Sequence, residues 1–306
     1  MEDTQLRDAL LTQYGVRKTD AQKTAFLRFA MAQAEAMGVP AAIEESGRLV
    51  RTRNLVLGDV ERATTLITAH YDTCARLFIP NISTPCSWPV FLLTQALLYA
   101  LIVLAGVGCG LLCARLGIGA IASVLLSLLA AAAVMGLMVA GPANPHNAND
   151  NTSGVLLLLL AMRALAGKRG VAFVLFDNEE KGLFGSAAFI RRHPSAARRF
   201  VLNLDCVGDG RTLLFTGSQA GLRCAQARRL LAAVEALARE EGRPTVSGAF
   251  PQILYPSDQL LFPRGTALAA LKGKRLLYLD RIHTAKDTVL CMDNLALLLR
   301  AMEQSL

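Results

Sequence analysis

The chain has 306 residues, of which 53% are hydrophobic and 18% are charged, and its mean hydropathy is +0.38. This composition is too apolar for a typical soluble domain, so part of the apolar content is expected to face lipid. The net charge is +8, but the basic residues are scattered. There is no aromatic-interleaved basic stripe, so a membrane surface explains the charge at least as well as nucleic acid, and no nucleic-acid partner is expected.

The cysteines and the N-terminal residues indicate the compartment. The seven cysteines form no CxxC pair and no even-numbered framework, which favours reduced thiols in a cytosolic setting. The first residues lack a basic region followed by an apolar stretch, so no cleaved signal peptide is predicted.

The first 76 residues are predicted to combine helices with short strands. Apolar residues recur at helical spacing over residues 1–38, and Thr19 and Asp20 are suitable for a helix cap. Alternating or β-branched runs predict strands at residues 41–44, 49–57 and 64–69.

A long apolar region follows. Residues 77–114 and 116–149 contain no charged side chain, with only Arg115 between them. Their apolar cores, at about 88–113 and 117–140, are each long enough to cross a bilayer, so residues 77–141 are predicted to form a transmembrane helical hairpin. Gly106 and Gly110 form a GxxxG pattern that lets two helices approach closely. The alternative is a pair of helices buried in a large soluble core.

After residue 141 the pattern alternates between helix and strand. Helices are predicted at about 152–166, 185–192, 221–241 and 292–303, and strands at 171–176, 200–204, 213–216 and 276–279. Such alternation predicts an α/β fold in three layers, with a mostly parallel central sheet and helices on both faces. Residues 1–76 and 142–306 would then form one discontinuous domain, interrupted by the hairpin.

Side chains of metal-ligand type follow the apolar runs. They occur in five segments, at residues 70–72, 149–151, 177–180, 203–205 and 283–287. One sheet would bring such segments together along one edge, and imidazoles with carboxylates, one of them shared, could hold two zinc ions. Each residue also has an ordinary alternative: Asp150 could cap a helix, Glu179 and Glu180 could begin the next helix, and Asp205 could pair with an arginine.

Six motifs in order resemble the zinc aminopeptidases of peptidase family M28. They are His70-Tyr-Asp-Thr, Asn149-Asp-Asn-Thr-Ser-Gly-Val, Phe176-Asp-Asn-Glu-Glu-Lys-Gly-Leu-Phe-Gly-Ser, Leu202-Asn-Leu-Asp-Cys-Val-Gly, Tyr255-Pro-Ser-Asp258 and Ile282-His-Thr-Ala-Lys-Asp-Thr. The resemblance runs from about residue 20 to the C-terminus, apart from the hairpin. That hairpin replaces a modest loop of the family between Asp72 and Asp150.

The resemblance implies two Zn²⁺ ions and assigns roles to several residues of these motifs. The implied metal ligands are His70, Asp150, Glu180, Asp205 and His283. Of these, His70 and Asp205 would bind one ion, Glu180 and His283 the other, and Asp150 both. Glu179 would be the general base, and Asp72 would accept a hydrogen bond from the second nitrogen of His70.

The resemblance implies an aminopeptidase that removes N-terminal residues from peptides, and the predicted hairpin implies that it is membrane-anchored. Two alternatives remain open: a glutaminyl cyclase-like acyltransferase on the same fold, and a non-catalytic membrane receptor or scaffold. Phe250, Tyr255 and Phe262 are expected to form an apolar wall of the substrate pocket.

The hairpin also predicts a location. Two spans return the chain to the side it left, so both parts of the peptidase domain share one compartment. We expect the cytoplasmic side of the plasma membrane, with only the loop at Arg115 outside. Because the hairpin leaves the catalytic edge of the sheet, the active site should open near the bilayer.

Overall fold

The computed structural model of the chain describes residues 1–48 and 50–306. The start of the second predicted strand, Leu49, therefore lies outside the described residues. The helices are α1 (Asp3–Thr12), α2 (Asp20–Ala36), α3 (Trp88–Arg115), α4 (Ala120–Ala140), α5 (Gly154–Ala164), α6 (Phe184–Arg192), α7 (Gln219–Leu222), α8 (Ala225–Glu240) and α9 (Met292–Ser305). The strands are β1 (Ala41–Ser46), β2 (Thr52–Leu57), β3 (Thr65–His70), β4 (Val171–Phe176), β5 (Phe200–Leu204), β6 (Thr212–Gly217), β7 (Thr245–Ala249) and β8 (Gly265–Leu271).

The described strands form one sheet in the order β1-β2-β4-β3-β5-β8-β6-β7. Its centre, β4-β3-β5-β8, is parallel. The pairs β1/β2, β2/β4 and β6/β8 are antiparallel, so the expectation of a mostly parallel sheet is wrong and the sheet is mixed. The reason lies in the connections, because a short link such as that between β1 and β2 turns the chain back on itself, whereas a parallel pair needs a long crossover.

Two apolar layers cover the sheet, which confirms the predicted arrangement of helices on both faces. Side chains of β5 alternate between them: Leu202 packs in the larger cluster with α5, α8 and α9, and Val201 packs on the other face with Phe189 of α6. Every residue of α5 from Gly154 to Met162 is buried, so this helix lies at the centre of the larger layer.

The sequence did not predict β7 and β8, and the strand that it predicted at residues 276–279 is not formed. That run makes only isolated bridges, at Tyr278 and Leu279, and the strand in this part of the chain is β8, which precedes it. The sequence of β8 is Gly-Thr-Ala-Leu-Ala-Ala-Leu, and all seven residues are buried. Alanine and glycine have low β propensity, and a strand buried on both faces shows no alternation, so neither sequence signal was present.

Helices α3 and α4 form the predicted hairpin and are long and apolar enough to cross a bilayer. Only 6% and 0% of their most apolar windows are buried within the protein, which contradicts the alternative of two soluble core helices. Gly106 faces the backbone of Ser127 and the side chain of Ala131, and a Cβ atom on Gly110 would lie 2.9 Å from Ser127 Oγ. The GxxxG pattern therefore lies in the helix contact, as predicted.

A buried ion pair fixes α2 to the end of β4. Lys23 Nζ pairs with Asp177 Oδ1 and donates a hydrogen bond to Asn178 Oδ1 at 2.9 Å. The other oxygen of Asp177 accepts from the backbone N–H of Arg53 at 2.9 Å. This pair holds the polar segment that follows β4 against the helical layer.

We expect Lys23→Met to lower the free energy of unfolding by about 3–5 kcal/mol, because it leaves the Asp177 carboxylate buried without its cation. Denaturant titration in detergent micelles measures this change. The control Lys168→Met removes an exposed lysine and should change stability by less than about 0.5 kcal/mol. Equal stabilities of the two variants would contradict a structural role for the buried pair.

Candidate active site

Three neighbouring parallel strands deliver polar residues to one edge of the sheet. Strand β3 ends at His70, which pairs in register with Phe176, the last residue of β4. Strand β5 lies on the other side of β3 and is followed directly by Asp205. The carboxyl ends of parallel strands are where α/β folds place their sites.

The turn that carries Asp150 is held by side chains that accept and donate backbone hydrogen bonds. Asp287 accepts from the N–H groups of Asn149 and Asp150, both at 2.9 Å. Asn151 donates from Nδ2 to the carbonyl of Leu204 at 2.9 Å, which ties the turn to the end of β5. The sequence motif indicates no role for Asp287, whereas the structure shows that its carboxylate orients Asp150.

Asp150 lies between two imidazoles and offers a different oxygen to each. Its Oδ1 is 3.2 Å from His70 Nε2, and its Oδ2 is 3.1 Å from His283 Nε2. Asp205 Oδ1 lies 3.9 Å from His70 Nε2, and Glu180 Oε2 lies 3.2 Å from His283 Nε2. The structure thus brings together all five residues that the resemblance implied as ligands, in two sets that share Asp150.

Asp72 holds the backbone of the two glutamates and lies beside His70. Its Oδ1 and Oδ2 accept the backbone N–H groups of Glu179 at 3.0 Å and Glu180 at 3.3 Å. His70 Nδ1 is 3.5 Å from Asp72 Oδ1 and has no hydrogen-bond partner among the described residues. Asp72 thus lies beside His70, as the resemblance implied, and it also fixes the backbone from which Glu179 and Glu180 extend.

Burial of so many acids together shifts their protonation. Burial raises the pKa of Glu180 to about 8, although the nearby His283 partly opposes this shift. Burial also raises the pKa of Glu179 well above its usual range. For His283, burial lowers the pKa, but Glu180 and Asp150 outweigh it and raise the value to about 9. The site is therefore short of positive charge at neutral pH.

The donor set fits a divalent metal. Glu180 Oε1 and Asp205 Oδ1 are buried without a hydrogen-bond partner among the described residues, although an unpaired buried oxygen is costly. His70, Asp150 and Glu180 have donor atoms within 4.8 Å of one another. Two imidazoles and three carboxylates are ligands that zinc accepts, and a cation would supply the missing charge.

Two thiols flank these ligands and were not expected there. Cys74 Sγ lies within 4.8 Å of donor atoms of Glu180 and His283, and Cys206 lies equally close to Asp150 and Asp205. Burial, together with the neighbouring carboxylates, raises the pKa of each thiol well above its usual value. These surroundings disfavour the thiolate, which is the form of cysteine that binds metal.

Of the three residues expected in the substrate wall, only Tyr255 lines the cavity above the metal-ligand residues. Its hydroxyl donates to the carbonyl of Asp205 at 3.1 Å. Phe262 packs in the core against Phe176, and Phe250 is 68% exposed beside a different pocket. An apolar residue in a loop gives no sequence signal of which way its side chain points.

The sheet, its helical layers and the buried carboxylate and imidazole cluster define an α/β protein with a candidate metal site at one edge of its sheet. The sequence profile of peptidase family M28 matches residues 134–300. The chain belongs to this family, and the resemblance of its motifs is thereby confirmed. No curated protein sequence matches the chain significantly.

Solved structures with the same fold include two kinds of enzyme. A Zn-dependent exopeptidase from Parabacteroides distasonis has a TM-score of 0.61 and 15% identity, covering 99% of this chain and 96% of that chain. A glutaminyl cyclase from Tannerella forsythia has a TM-score of 0.60 and 15% identity, with coverages of 99% and 94%. A leucine aminopeptidase precursor from Bacteroides thetaiotaomicron has a TM-score of 0.58 and 14% identity, with coverages of 99% and 93%. At these identities the likeness shows the fold alone.

We expect the chelator-treated protein to lose stability as the pH rises from about 5 to about 9. Folding raises the pKa of Glu180 from 4.5 to about 8 and that of His283 from 6.5 to about 9. The folded state therefore binds more protons than the unfolded state in this window, and each proton lost with rising pH removes stability. Thermal melting in detergent at several pH values measures the trend.

Added zinc should reverse this trend, because ligands that are deprotonated at higher pH bind the metal more tightly. The stabilisation by zinc, measured as the difference between melting temperatures with and without the ion, should increase from pH 6 to pH 8. A zinc effect that is independent of pH would contradict coordination by Glu180 and His283.

Proposed function

We propose that the protein is a membrane-anchored two-zinc aminopeptidase that hydrolyses N-terminal residues from peptides. The observation that carries this proposal is the position of Asp150, which offers one oxygen to His70 and the other to His283. A carboxylate oriented in this way suits two ions held side by side, as in two-metal hydrolases.

The ligands divide into two sets. His70 and Asp205 would hold one ion, Glu180 and His283 would hold the other, and Asp150 would contribute to both. Bound zinc would supply Lewis-acid polarisation of the scissile carbonyl and would promote ionisation of water. The remaining chemistry belongs to the side chains of the chain.

Glu179 is the proposed general base. It borders the cavity next to Glu180 and is not among the grouped metal-ligand atoms. Its carboxylate would accept a proton from the attacking water and return it to the leaving amine. Burial raises its pKa well above the usual range, and neighbouring cations would lower it again, which favours the carboxylate form that a base needs.

Residues 1–76 and 142–306 would form the peptidase domain, and residues 77–141 would anchor it. The exposed apolar surfaces of α3 and α4 support anchoring, because a bilayer would cover surface that water disfavours. An even number of spans leaves both parts of the domain on one side, for which we propose the cytoplasmic face of the plasma membrane.

A glutaminyl cyclase is the second candidate. Glutaminyl cyclases from Porphyromonas gingivalis and Tannerella forsythia share the fold at TM-scores of 0.58 and 0.60. These values are close to those of the exopeptidases, so the fold does not separate the two activities. The two groups of ligand-type side chains that share Asp150 support hydrolysis, because they suit two ions.

The first test concerns the base. Glu179→Gln should lower kcat for an aminoacyl substrate by about 10²- to 10⁴-fold, because the amide cannot accept the proton. Its zinc content should equal that of the parent, as measured by elemental analysis of the purified protein. The control Glu240→Gln changes an exposed glutamate and should retain full activity. A Glu179→Gln variant that turns over substrate at the parent rate would refute the assigned role.

The second test separates the two activities. We expect two zinc ions per chain in the detergent-purified protein and release of free amino acids from short peptides. Asp205→Ala should remove one ion and abolish turnover, since it deletes a ligand of only one set. One ion in the parent, together with pyroglutamyl product from a peptide with N-terminal glutamine, would instead establish the cyclase.

A further inference from the structure

The cavity above the metal-ligand cluster has two unlike walls. It encloses about 320 Å³, and its polar wall includes Glu179, Asp205 and His283. The opposite wall comes from both hairpin helices, through Phe91, Leu98, Tyr99, Ile102, Met135 and Met138. The same helices that are exposed on their outer faces therefore form part of the site.

The base of the hairpin is tied to the catalytic edge of the sheet. The N–H of Leu77 donates to the carbonyl of His283 at 2.8 Å. Ser83 and Leu279 exchange two backbone hydrogen bonds, at 2.9 and 2.8 Å. These contacts fix residues 77–83, which lead into α3, beside His283 and Leu279, so the apolar wall is connected directly to the proposed metal site.

The apolar wall extends far along α3. Phe91 and Ile102 both line the cavity, and the eleven helical steps from one to the other correspond to about 16 Å. This is about half of the roughly 30 Å hydrocarbon thickness of a bilayer. It also exceeds the length of any single amino-acid side chain, and it equals about five residues of extended peptide.

The chemistry of this wall excludes a charged occupant. Residues 77–114 contain no charged side chain, and the polar groups that α3 contributes to the cavity are the Gln95 amide and the Tyr99 hydroxyl. A charged peptide segment placed there would lose hydration without gaining an ionic partner, whereas an apolar segment would be stabilised by burial.

We propose that the substrates are apolar peptides dissolved in the bilayer. The N-terminal peptide bond would reach the metal-ligand cluster, and about five following apolar residues would lie along α3. This inference rests on the proposed aminopeptidase function and adds the substrate class. The hairpin is then the specificity surface of the enzyme as well as its anchor.

The test uses the full-length protein in phosphatidylcholine vesicles. Three substrates share an N-terminal leucine: leucine amide, a peptide continuing with five leucines, and a peptide continuing with five serines. We expect kcat/KM to be at least about 10-fold higher for the apolar peptide than for the serine peptide, because burial of a few methylene groups reaches that factor. Leucine amide has no further residues to lie along α3, so its kcat/KM measures hydrolysis without the contribution of the apolar wall.

A pair of variants separates binding along the wall from partitioning into the vesicle. Ile102→Trp places bulk in the cavity, and Val103→Trp adds the same residue next to it on a side chain that is 62% exposed and does not line the cavity. Ile102→Trp should lower the ratio of kcat/KM for the apolar peptide to kcat/KM for leucine amide by about 10-fold. Val103→Trp should leave this ratio unchanged.

The outcomes distinguish this inference from the function beneath it. Turnover of leucine amide without preference for the apolar peptide, or equal effects of the two tryptophan variants, would overturn the inference alone. Absence of turnover of all three substrates by the zinc-loaded parent would overturn the aminopeptidase function and this inference with it.

Discussion

The candidate active site depends on a cluster of buried carboxyl groups around Asp150. Asp150, Asp205 and the glutamates at 179 and 180 share a small volume with only two imidazoles. Buried carboxylates at such density are unfavourable unless protons or cations compensate them. The raised pKa of Glu180 and the raised pKa of His283 are two results of the same imbalance, since the acid retains its proton and the base gains one.

The fold holds this unfavourable cluster with backbone hydrogen bonds. Asp72 accepts from the N–H groups of both glutamates, and Asp287 accepts from that of Asp150. Two carboxylates outside the proposed set of ligands therefore set the directions of two proposed ligands, Asp150 and Glu180, and of the proposed base, Glu179. Such supporting contacts determine whether ligands meet at one point, and ligand residues alone do not ensure that geometry.

The hairpin contributes apolar side chains to the same cavity as the polar cluster. The side chains of the proposed active site lie on a sheet edge whose polar groups require water or ions, whereas α3 and α4 present surface suited to lipid. The backbone hydrogen bond between Leu77 and His283 connects the base of the hairpin directly to the polar cluster. An insertion placed at a loop away from the sheet edge would anchor the domain without contributing to the cavity.

The sequence by itself determined the α/β class, the hairpin and the residues of the metal-type cluster, because these depend on local apolar patterns and on residue type. His70, Asp150 and Glu180 could be identified from short motifs at the ends of apolar runs. The tertiary structure decided strand direction, the presence of β8, the support given by Asp287 and the exclusion of Phe262 from the cavity. These features arise from contacts between residues distant in the chain, and periodicity and propensity carry no information about such contacts.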